Sequence, residues 1–351
     1  MIDIIINPTK KCNFCCDFCA ASEIPNNEIS IEDTIKILEK YQKECGIRTI
    51  IINGGDPLMM SPDYYREIIR WIKNVDSELK PYLSLTSNLW DYYTHRDRWI
   101  DIFKEPCVGI MTSFQFGSKR KHIVNGVTKP FSVEEFSKIM KSFTKDFSYT
   151  PSFISVLDNS NKNTARDTVL LAKEFNTTCK LNKIIISGRN KEYFPRYEYL
   201  EILYNIMKDE YLSGVELNVE NIKNFFNKEP SCCPLGIDCS KGIVCVNPDK
   251  SIYSCGYDAD NKKETKNDYY SRFIKEECLV CSNFLFCNSC RVYIREAKDN
   301  DDIENYCKGM KAVIKKFKNL ISNKELYNQN ERRKTDTAIK LFSISLFRDD
   351  E

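Results

Sequence analysis

A run of cysteines near the start of the chain carries the most specific chemical signal. Cys12, Cys16 and Cys19 follow a Cys-x3-Cys-x2-Cys spacing, and the aromatic Phe18 stands just before the last of them. Closely spaced thiolates hold iron–sulfur clusters. Three thiolates can hold three irons of a [4Fe–4S] cubane and leave the fourth iron open to chelate a small molecule. Cys15 breaks the spacing, and we interpret it as a packed residue because free cysteine is often buried.

Other interpretations of a cysteine loop need features that this segment does not supply. A zinc site typically takes four ligands in two pairs, and the loop offers no second pair and no histidine. Disulfides would require an oxidising compartment, whereas the first residues resemble no secretory signal peptide. Seventeen cysteines in such a chain therefore indicate bound metal rather than disulfides.

Length and composition are typical of an intracellular enzyme. The 351 residues suffice for one large domain plus a smaller one, and 42% hydrophobic residues can build a sizeable core. A net charge of only +2 does not favour nucleic acid or an anionic membrane as a partner. No apolar run reaches transmembrane length, so we expect a cytoplasmic protein without membrane contact.

Six apolar segments with strand character alternate with amphipathic helical segments over residues 1–215. The strands are expected near residues 3–6, 49–52, 82–86, 108–112, 152–157 and 181–187. The helices are expected at 31–44, directly after Ser61-Pro62, and at 95–103, 133–143, 165–175 and 197–207. Such alternation predicts a parallel sheet. Six units are two fewer than a closed eight-strand barrel has, and parallel barrels place active sites at the C-terminal ends of their strands.

Short polar motifs follow three of these strands, where a barrel would place its active site. The motifs are Gly54-Gly55-Asp56-Pro57 after the second strand, Ser87-Asn88 after the third, and Ser113 with Gln115 after the fourth. Glycines let backbone come close to a ligand. The same residue types also form ordinary turns, so turn chemistry remains an alternative for each motif.

A second group of cysteines lies between residues 230 and 310. Its eight positions are Cys233, Cys239, Cys255, Cys278, Cys281, Cys287, Cys290 and Cys307. Eight thiolates suffice for two fully ligated [4Fe–4S] clusters, although they would also suffice for two zinc sites. From about Met310 the chain is lysine-rich with helical apolar spacing, which predicts a C-terminal helical tail.

Together these motifs resemble the radical S-adenosylmethionine (SAM) enzymes that carry a C-terminal SPASM extension. The resemblance covers about residues 3–310. It implies an α/β fold, with an open (β/α)6 partial barrel over residues 1–215, a small cysteine-rich iron–sulfur domain over 230–310 and a helical tail over 311–351. It also implies that the open iron of the first cluster chelates the amino and carboxylate groups of SAM.

The resemblance assigns roles to the polar motifs. The residues expected to contact SAM are Gly54, Gly55, Asp56, Ser87, Asn88, Ser113 and Gln115. Asp56 replaces the glutamate that is usual at its position. Related enzymes often carry an arginine where this chain has Asn125, and a neutral amide cannot replace a bidentate guanidinium on a carboxylate. Arg120 or Lys121 could substitute, so the partner of the SAM carboxylate stays open.

SPASM extensions interlace the ligands of two auxiliary clusters. The resemblance assigns the first auxiliary cluster to Cys233, Cys239, Cys255 and Cys290. It assigns the second to Cys278, Cys281, Cys287 and Cys307. With the cluster at Cys12, Cys16 and Cys19, this makes three [4Fe–4S] clusters. One departure is Lys250, which stands where the extension usually has a turn glycine, but it removes no ligand.

Enzymes with two auxiliary clusters mostly act on peptides, so the resemblance implies post-translational modification of a precursor peptide. SAM would be cleaved to a 5′-deoxyadenosyl radical that abstracts hydrogen from the peptide. Thioether or carbon–carbon crosslinking, or epimerisation, would fit. Expected partners are the peptide and a flavodoxin- or ferredoxin-type electron donor. Because the chain starts at its first strand, a leader that must be recognised would bind the barrel surface, the tail or a separate leader-binding protein.

Two alternatives stay open. One is a radical dehydrogenase or epimerase of a small alcohol or sugar, and the other is a non-catalytic iron–sulfur or zinc protein that carries electrons or serves as a scaffold.

Three further side chains are candidates for catalysis. Cys232 and Cys245 could donate a hydrogen atom, although an inert buried thiol is the commoner alternative. Asp258 is a candidate acid near Cys255, but sulfatase-maturating enzymes often place Asp directly after this ligand, where this chain has Gly256. Formylglycine formation is therefore less expected.

Overall fold

The computed structural model describes residues 1–76, 78–235, 242–253, 255, 276–288 and 290–322. The chain forms two compact units. The first comprises residues 1–154, 187–191 and 239–262, and the second comprises 155–186, 192–238 and 263–351. The domains expected from the sequence, at residues 1–215, 230–310 and 311–351, stay a prediction.

A parallel sheet forms the centre of the first unit. Its strands are β1 (Ile2–Ile6), β2 (Ile47–Ile52), β3 (Tyr82–Thr86), β4 (Val108–Ser113), the start of β7 (Ser152–Leu157) and β9 (Ile243–Val246), with β10 (Ile252–Tyr253) as an antiparallel edge strand. β1 pairs with β2, β2 with β3, β3 with β4 and β4 with β7, all in parallel. Alternate residues such as Ile4, Ile6, Ile50 and Ile52 are fully buried and form the core on one face.

β7 continues into the second unit, where β8 (Cys179–Lys183) is its neighbour in the sheet. The amide of Ile184 donates to the carbonyl of Leu157 at 2.9 Å. The strand order of the sheet is β10-β9-β1-β2-β3-β4-β7-β8. The six predicted strands therefore stand side by side in chain order, as in a partial (β/α)6 barrel, and the expected α/β fold class is confirmed. β8 ends at Lys183 rather than at Ser187.

β9 and β10, which the sequence pattern did not predict, extend the sheet beyond its first strand. β9 runs parallel to β1, with Ile4 opposite Val244 and Ile6 opposite Val246. The short apolar run of β9 lies among the cysteines of the second group, where spacing of metal ligands was the dominant signal. Because of this addition, β1 has a hydrogen-bonded neighbour on both sides.

The first two helices begin where their capping residues predict. α1 (Ile31–Cys45) follows Ser30, whose hydroxyl accepts a hydrogen bond from the helix, and it ends before Gly46 at φ +72°. α2 (Pro62–Asn74) follows Ser61, which caps it in the same way. Proline at the first helical position adds to this start signal.

The helix expected at residues 95–103 forms only at its end, as α4 (Ile100–Phe103), and a separate short helix, α3 (Trp90–Thr94), precedes the expected range. The carboxylate of Asp91 accepts a hydrogen bond from the indole nitrogen of Trp99 at 2.8 Å. This bond joins the two short helices across the intervening turn, so side-chain bonding replaces a continuous helix here.

A β-hairpin of β5 (Lys121–Val124) and β6 (Val127–Pro130) lies between β4 and α5 (Val133–Phe147) and was not predicted. Its tip is Asn125-Gly126, with φ values of +51° and +77°. Asn-Gly is the typical two-residue turn of a hairpin, so the sequence did carry a signal for it. Asn125 therefore occupies an exposed hairpin tip.

The second unit is mainly helical. Its helices are α6 (Ala165–Glu174), α7 (Arg196–Lys208), α8 (Leu217–Phe226), α9 (Phe284–Cys287), α10 (Arg291–Asp299) and α11 (Ile303–Ser322). α6 and α7 match the expected helices, and α11 includes the start of the expected tail helix. The rest of the tail, from residue 323, lies outside the described residues. Across the described ranges, no helix is both long and apolar enough to cross a membrane.

Two buried carboxylates bind the helices of the second unit to the end of the sheet. Glu296 in α10 forms an ion pair with Lys183 at 2.6 Å, and both side chains are almost fully buried. Glu216 caps α8 by accepting from the amide of Val219 at 2.6 Å, and it also accepts from the amide of Leu181 in β8 at 2.8 Å. Glutamate is an uncommon N-cap, which explains why α8 was not predicted.

The Glu216 carboxyl predicts a pH dependence of stability. Burial raises the pKa of Glu216 to about 7, above its ordinary value of 4.5, so folding favours its protonated form. We expect the free energy of unfolding to fall as pH rises from about 4.5 through 7 and then to level off. Glu216→Gln should remove this dependence, whereas Glu220→Gln on the exposed side of α8 should keep it. Denaturant unfolding from about pH 5 to 8 measures both variants, and a wild-type profile in Glu216→Gln would contradict the assignment.

Candidate functional site

The cluster loop, defined here as residues 10–19, is bonded along one side to the hairpin strand β5. The amide of Cys15 donates to the carbonyl of Lys121 at 2.8 Å, and the amide of Ile123 donates to the carbonyl of Asn13 at 3.1 Å. The loop itself has neither helix nor extended strand, so these bonds satisfy main-chain groups that would otherwise lack partners. The hairpin thus positions the loop that carries the three cysteines.

The glycine motif after β2 holds the start of the same loop. The amide of Gly55 donates to the carbonyl of Thr9 at 2.8 Å. A Cβ on Gly55 would lie 2.1 Å from the carbonyl oxygen of Lys11, and Gly54 has φ +101°. Both positions therefore require glycine, because the loop backbone passes where a side chain would stand. The contact of these glycines with the SAM amino group stays a prediction.

The carboxylate of Asp56 links the ends of β2 and β3. It is 2% exposed, and Oδ2 accepts from the amide of Asn88 at 2.7 Å while Oδ1 accepts from the amide of Leu58 at 2.9 Å. The hydroxyl of Ser87 donates to the same carboxylate at 2.9 Å. Burial raises the pKa of Asp56, and the bonds it accepts oppose that rise. Asp56 and Ser87 therefore hold the scaffold of the site, and their contact with SAM stays a prediction.

Asn88 extends this network to the cluster loop. Its Nδ2 donates to Oδ1 of Asn13 at 2.7 Å and lies 3.9 Å from Sγ of Cys12. Its Oδ1 accepts from the amide of Trp90 at 2.8 Å, which fixes the orientation of the side-chain amide. Groups that hydrogen-bond to a metal ligand orient it and tune the metal. One continuous path thus runs from Asp56 through Asn88 to a predicted cluster ligand.

Gly188 and Arg189, which belong to the first unit, bind the far end of the cluster loop. The amide of Arg189 donates to the carbonyl of Cys19 at 3.1 Å. Its Nη1 donates to Sγ of Cys15 at 3.1 Å and to the carbonyl of Cys16 at 3.2 Å. A Cβ on Gly188 would lie 2.2 Å from the carbonyl oxygen of Cys19. The expected packing role of Cys15 therefore includes a polar contact.

The three thiols of the loop influence one another. Burial raises the pKa of Cys12, and the charge of Asp56 and those of Cys16 and Cys19 raise it further. Burial, followed by the charge of Cys16, also raises the pKa of Cys19. Metal ligands must be deprotonated, so binding of metal here is coupled to release of these thiol protons.

The donor set of the cluster loop consists of three thiolates, from Cys12, Cys16 and Cys19. A zinc ion draws its sulfur ligands to about 2.3 Å from one centre, whereas a cubane attaches each thiolate to a different iron. An all-thiolate set on a loop fixed by backbone bonds therefore fits a [4Fe–4S] cluster.

The segment after β4 contains buried polar atoms for which the described residues supply no hydrogen-bond partner. Within the described ranges, Oγ1 of Thr112, Oε1 of Gln115 and Nε of Arg120 are buried without a hydrogen-bond partner. Most buried polar atoms in proteins are hydrogen-bonded, so three such atoms in one short segment indicate a polar ligand. The zwitterionic methionine part of SAM is suited to such a segment.

Arg120 is the cation of this segment. It is 7% exposed, and its Nη2 donates to the hydroxyl of Ser113 at 2.7 Å. Its guanidinium carbon lies 5.0 Å from the ring centre of Phe14 and 5.8 Å from that of Phe131. A guanidinium held in this way can bind a carboxylate through two parallel bonds. The exposed Asn125 stands apart from this arrangement, at the tip of the hairpin.

Three cysteines of the second group influence the pKa of a fourth, Cys287, within the second unit. Burial raises the pKa of Cys287 to about 11, and the charges of Cys281, Cys307 and Cys278 raise it further. The guanidinium of Arg196 opposes this rise. These four cysteines are the set that the resemblance assigns to the second auxiliary cluster.

The other expected auxiliary set is described only in part. Cys233 and Cys255 are half-buried and Cys290 is buried, whereas Cys239 lies outside the described residues. Lys250 adopts φ +68°, the conformation that the usual glycine would favour. The turn is therefore formed despite the substitution, and the ligand set itself stays a prediction.

The candidate catalytic residues stand in different surroundings. Cys232 is exposed, and its amide donates to Oδ1 of Asn221 at 2.7 Å. Cys245 in β9 is fully buried, and its Sγ accepts from Nδ2 of Asn7 at 3.5 Å. Burial raises the pKa of Cys245 to about 12. Asp258 lies outside the described residues, and the roles of all three stay predictions.

Sequence reasoning missed two residues that the structure brings to the loop, Asn13 and Arg189. Asn13 stands inside the cysteine motif, where only cysteine spacing was informative. The available signal for Arg189 was its neighbour Gly188, a glycine that follows the sixth predicted strand and would mark a close backbone approach.

The hydrogen bonds that Asp56 accepts predict that its replacement lowers the stability of the folded protein. In Asp56→Asn, an amide NH2 would face the backbone N–H of Asn88 or Leu58, and one buried donor would lose its acceptor. We expect the free energy of unfolding of the anaerobically reconstituted protein to fall by about 1–3 kcal/mol. Asp63→Asn, on the exposed first turn of α2, should change it by less than about 0.5 kcal/mol. Equal unfolding curves for both variants would show that the Asp56 network does not hold the site.

Comparisons with known proteins agree with this geometry. The sequence profile of the Radical SAM superfamily matches residues 6–172. A cysteine-type anaerobic sulfatase-maturating enzyme of Clostridium novyi (strain NT) is 24% identical over 90% of this chain and 95% of its own length.

Two solved structures share the fold. The structure of native anSMEcpe with bound AdoMet has a TM-score of 0.64 at 18% identity, covering 91% of this chain and 100% of its own. The structure of Streptococcus suis SuiB bound to precursor peptide SuiA has a TM-score of 0.55 at 13% identity, covering 84% of this chain and 72% of its own. Profile, relative and fold therefore agree with the cysteine loop and its scaffold, and residues 6–172 carry a radical SAM domain.

Proposed function

We propose that this radical SAM enzyme modifies a ribosomally made precursor peptide. The observation that carries the proposal is the extent of the similarity, which continues far beyond residue 172, where the superfamily profile ends. The sulfatase-maturating relative aligns over 90% of this chain, and the SuiB structure that contains a precursor peptide covers 84% of it.

The superfamily implies a [4Fe–4S] cluster and SAM at the site after β1 to β4. Bound there, they would supply radical chemistry, in which one electron from an external reductant cleaves SAM to methionine and a 5′-deoxyadenosyl radical that would abstract a hydrogen atom from the substrate. Cys12, Cys16 and Cys19 are the residues that would hold this cluster.

The residues of this chain would fix the cofactors rather than react. Asn88 orients Cys12 through its side-chain amide, and Arg189 holds the carbonyls at the end of the cluster loop. Arg120, positioned by Ser113, would bind the SAM carboxylate in place of the arginine that is absent at Asn125. Gln115, which is 2% exposed, would offer its free Oε1 to a donor group of SAM. Such fixed positions keep the reacting atoms aligned.

Two further [4Fe–4S] clusters would occupy the second group of cysteines. The support is strongest for Cys278, Cys281, Cys287 and Cys307, because the first two and the last lie close enough to Cys287 to raise its pKa. Their task would be to hold substrate or to exchange electrons with it.

Iron content and SAM cleavage test the cluster assignment. Anaerobic reconstitution should approach about twelve irons per chain, and saturation near four irons with bound zinc would refute the auxiliary clusters. Replacing Cys12, Cys16 and Cys19 by Ala should abolish formation of 5′-deoxyadenosine. Replacing Cys278 and Cys281 by Ala should leave some uncoupled cleavage without product. Exposed Cys45 replaced by Ala is the matched control and should behave as wild type.

Mass spectrometry tests the substrate class. Short peptides encoded beside the gene should change in mass when incubated with enzyme, SAM and a reductant. A loss of two hydrogens would indicate crosslinking or dehydrogenation, whereas gain of one deuterium from heavy water would indicate epimerisation with a thiol donor such as Cys232 or Cys245. Cleavage of SAM with turnover of a small alcohol or sugar and of no peptide would overturn the proposal.

The proposed contact of Arg120 with the SAM carboxylate predicts that its replacement weakens the binding of SAM. Arg120→Met removes a charged hydrogen-bond donor, so we expect SAM to bind the reconstituted protein about 10- to 100-fold more weakly, or about 1.5–3 kcal/mol. Arg120→Lys should recover only part of this loss, because an ammonium lacks the planar fork. Arg66→Met, which removes an exposed arginine from α2, is the control. Equilibrium dialysis measures the affinity, and an unchanged dissociation constant in Arg120→Met would assign the carboxylate to another residue.

A further inference from the structure

Arg196, the first residue of α7, is one of the largest fully buried side chains of the second unit. It is 1% exposed. Its Nη1 donates to the carbonyl of Cys287 at 2.6 Å, and its Nη2 donates to the carbonyl of Phe286 at 3.1 Å. The guanidinium therefore binds two main-chain carbonyls at the C-terminal end of α9. This helix carries Cys287, a predicted ligand of the second auxiliary cluster.

Aromatic rings enclose the same guanidinium. Its carbon lies 5.1 Å from the ring centre of Tyr293 and 5.6 Å from that of Phe286. The hydroxyl of Tyr306 is 3.4 Å from Nη1. Rings of this kind exclude water, so the positive charge is screened much less than a surface charge would be.

The positive charge of Arg196 therefore lies beside a predicted cluster ligand. Both of its bonded nitrogens donate to carbonyls of residues 286 and 287, and the resemblance assigns Cys287 to the second auxiliary cluster.

A second buried cation in this region has its own carboxylate. Lys183 lies 5.0 Å from the ring centre of Tyr293, but it forms an ion pair with Glu296 at 2.6 Å. The opposite charge of Glu296 cancels most of the field of Lys183 at a distance. Lys183 therefore adds little to the positive field at Cys287.

We propose that Arg196 raises the reduction potential of the auxiliary cluster bound through Cys287. This inference rests on the second auxiliary cluster of the proposed function. A cluster held by four thiolates is anionic, and each added electron makes it more negative. A fixed positive charge in a dry environment stabilises the reduced form more than the oxidised form, and net charge, hydrogen bonding and solvent exposure are the factors that set cluster potentials. Arg196 thus favours acceptance of an electron by this cluster.

Redox titration of the reconstituted holoenzyme, followed by electron paramagnetic resonance, tests the proposal. Arg196→Gln keeps an amide donor for the carbonyl of Cys287 but removes the charge, and Arg196→Lys keeps the charge but removes the fork. Arg166→Met removes an exposed arginine from the same unit and is the matched control. Iron content is measured for every variant, so that loss of a cluster is separated from a change in its potential.

We expect Arg196→Gln to retain wild-type iron and to shift the reduced-to-oxidised ratio of the second auxiliary cluster about tenfold toward the oxidised form, or about 59 mV for one electron. Arg196→Lys should stay close to wild type, and the cluster at Cys12 should be unaffected throughout. Full iron content with unchanged auxiliary potentials in Arg196→Gln would overturn the proposal.

Two other results are decisive. If Arg196→Gln loses iron, retention of iron and of wild-type potentials in Arg196→Lys supports the charge, whereas equal iron loss in Arg196→Lys shows that the cysteine segment needs only the hydrogen-bonding fork. A wild-type protein that saturates near four irons would refute the auxiliary clusters themselves, which is a failure of the proposed function and is recognised before any variant is made.

Discussion

Main-chain hydrogen bonds from three separate elements fix a loop that has almost no regular structure of its own. The hairpin strand β5 binds its middle, the glycine motif after β2 binds its start, and Arg189 binds the carbonyl of Cys19 at its end. A loop that must present three thiolates at defined positions cannot rely on helix or sheet bonding within itself. The strand ends, the hairpin and the glycines are arranged around this requirement, and the side chains of Asp56 and Asn88 complete it.

The sequence predicts the parts of this arrangement that depend on local pattern. Six apolar strands, the caps at Ser30 and Ser61 and the cysteine spacing all act over a few residues, and the structure has the strands and caps where they were expected. The contacts that position the loop are of another kind. Arg189 contacts Cys15, which lies 174 residues earlier in the chain. No periodicity or spacing in the sequence predicts a contact over that separation. The short strand β9 was not predicted because cysteine spacing was the dominant signal around it. Helix α8 was not predicted because its N-cap, Glu216, is an unusual capping residue.

In the described part of each unit, one arginine is buried against aromatic rings. Arg120 lies over Phe14 and Phe131, and Arg196 lies between Phe286 and Tyr293. A guanidinium is delocalised and weakly hydrated, so it tolerates such surroundings better than an ammonium does and still keeps donors for oxygen atoms. The only lysine buried as deeply in the described part of the chain, Lys183, is ion-paired with Glu296. The two buried arginines thus lie against aromatic rings, whereas the buried lysine forms an ion pair with a carboxylate.

The pairing of β9 with β1 has a consequence for how the chain reaches its fold. Asn7, directly after β1, donates to Asn247, directly after β9, across 240 residues. During synthesis β1 is among the first segments made. Its edge that pairs with β9 stays unpaired until most of the chain has left the ribosome. An open apolar strand edge is a template for wrong pairing with another chain. Contacts of such long sequence separation also slow folding. The order of translation therefore makes the strand that precedes the cluster loop the most exposed to misassembly before the sheet is complete.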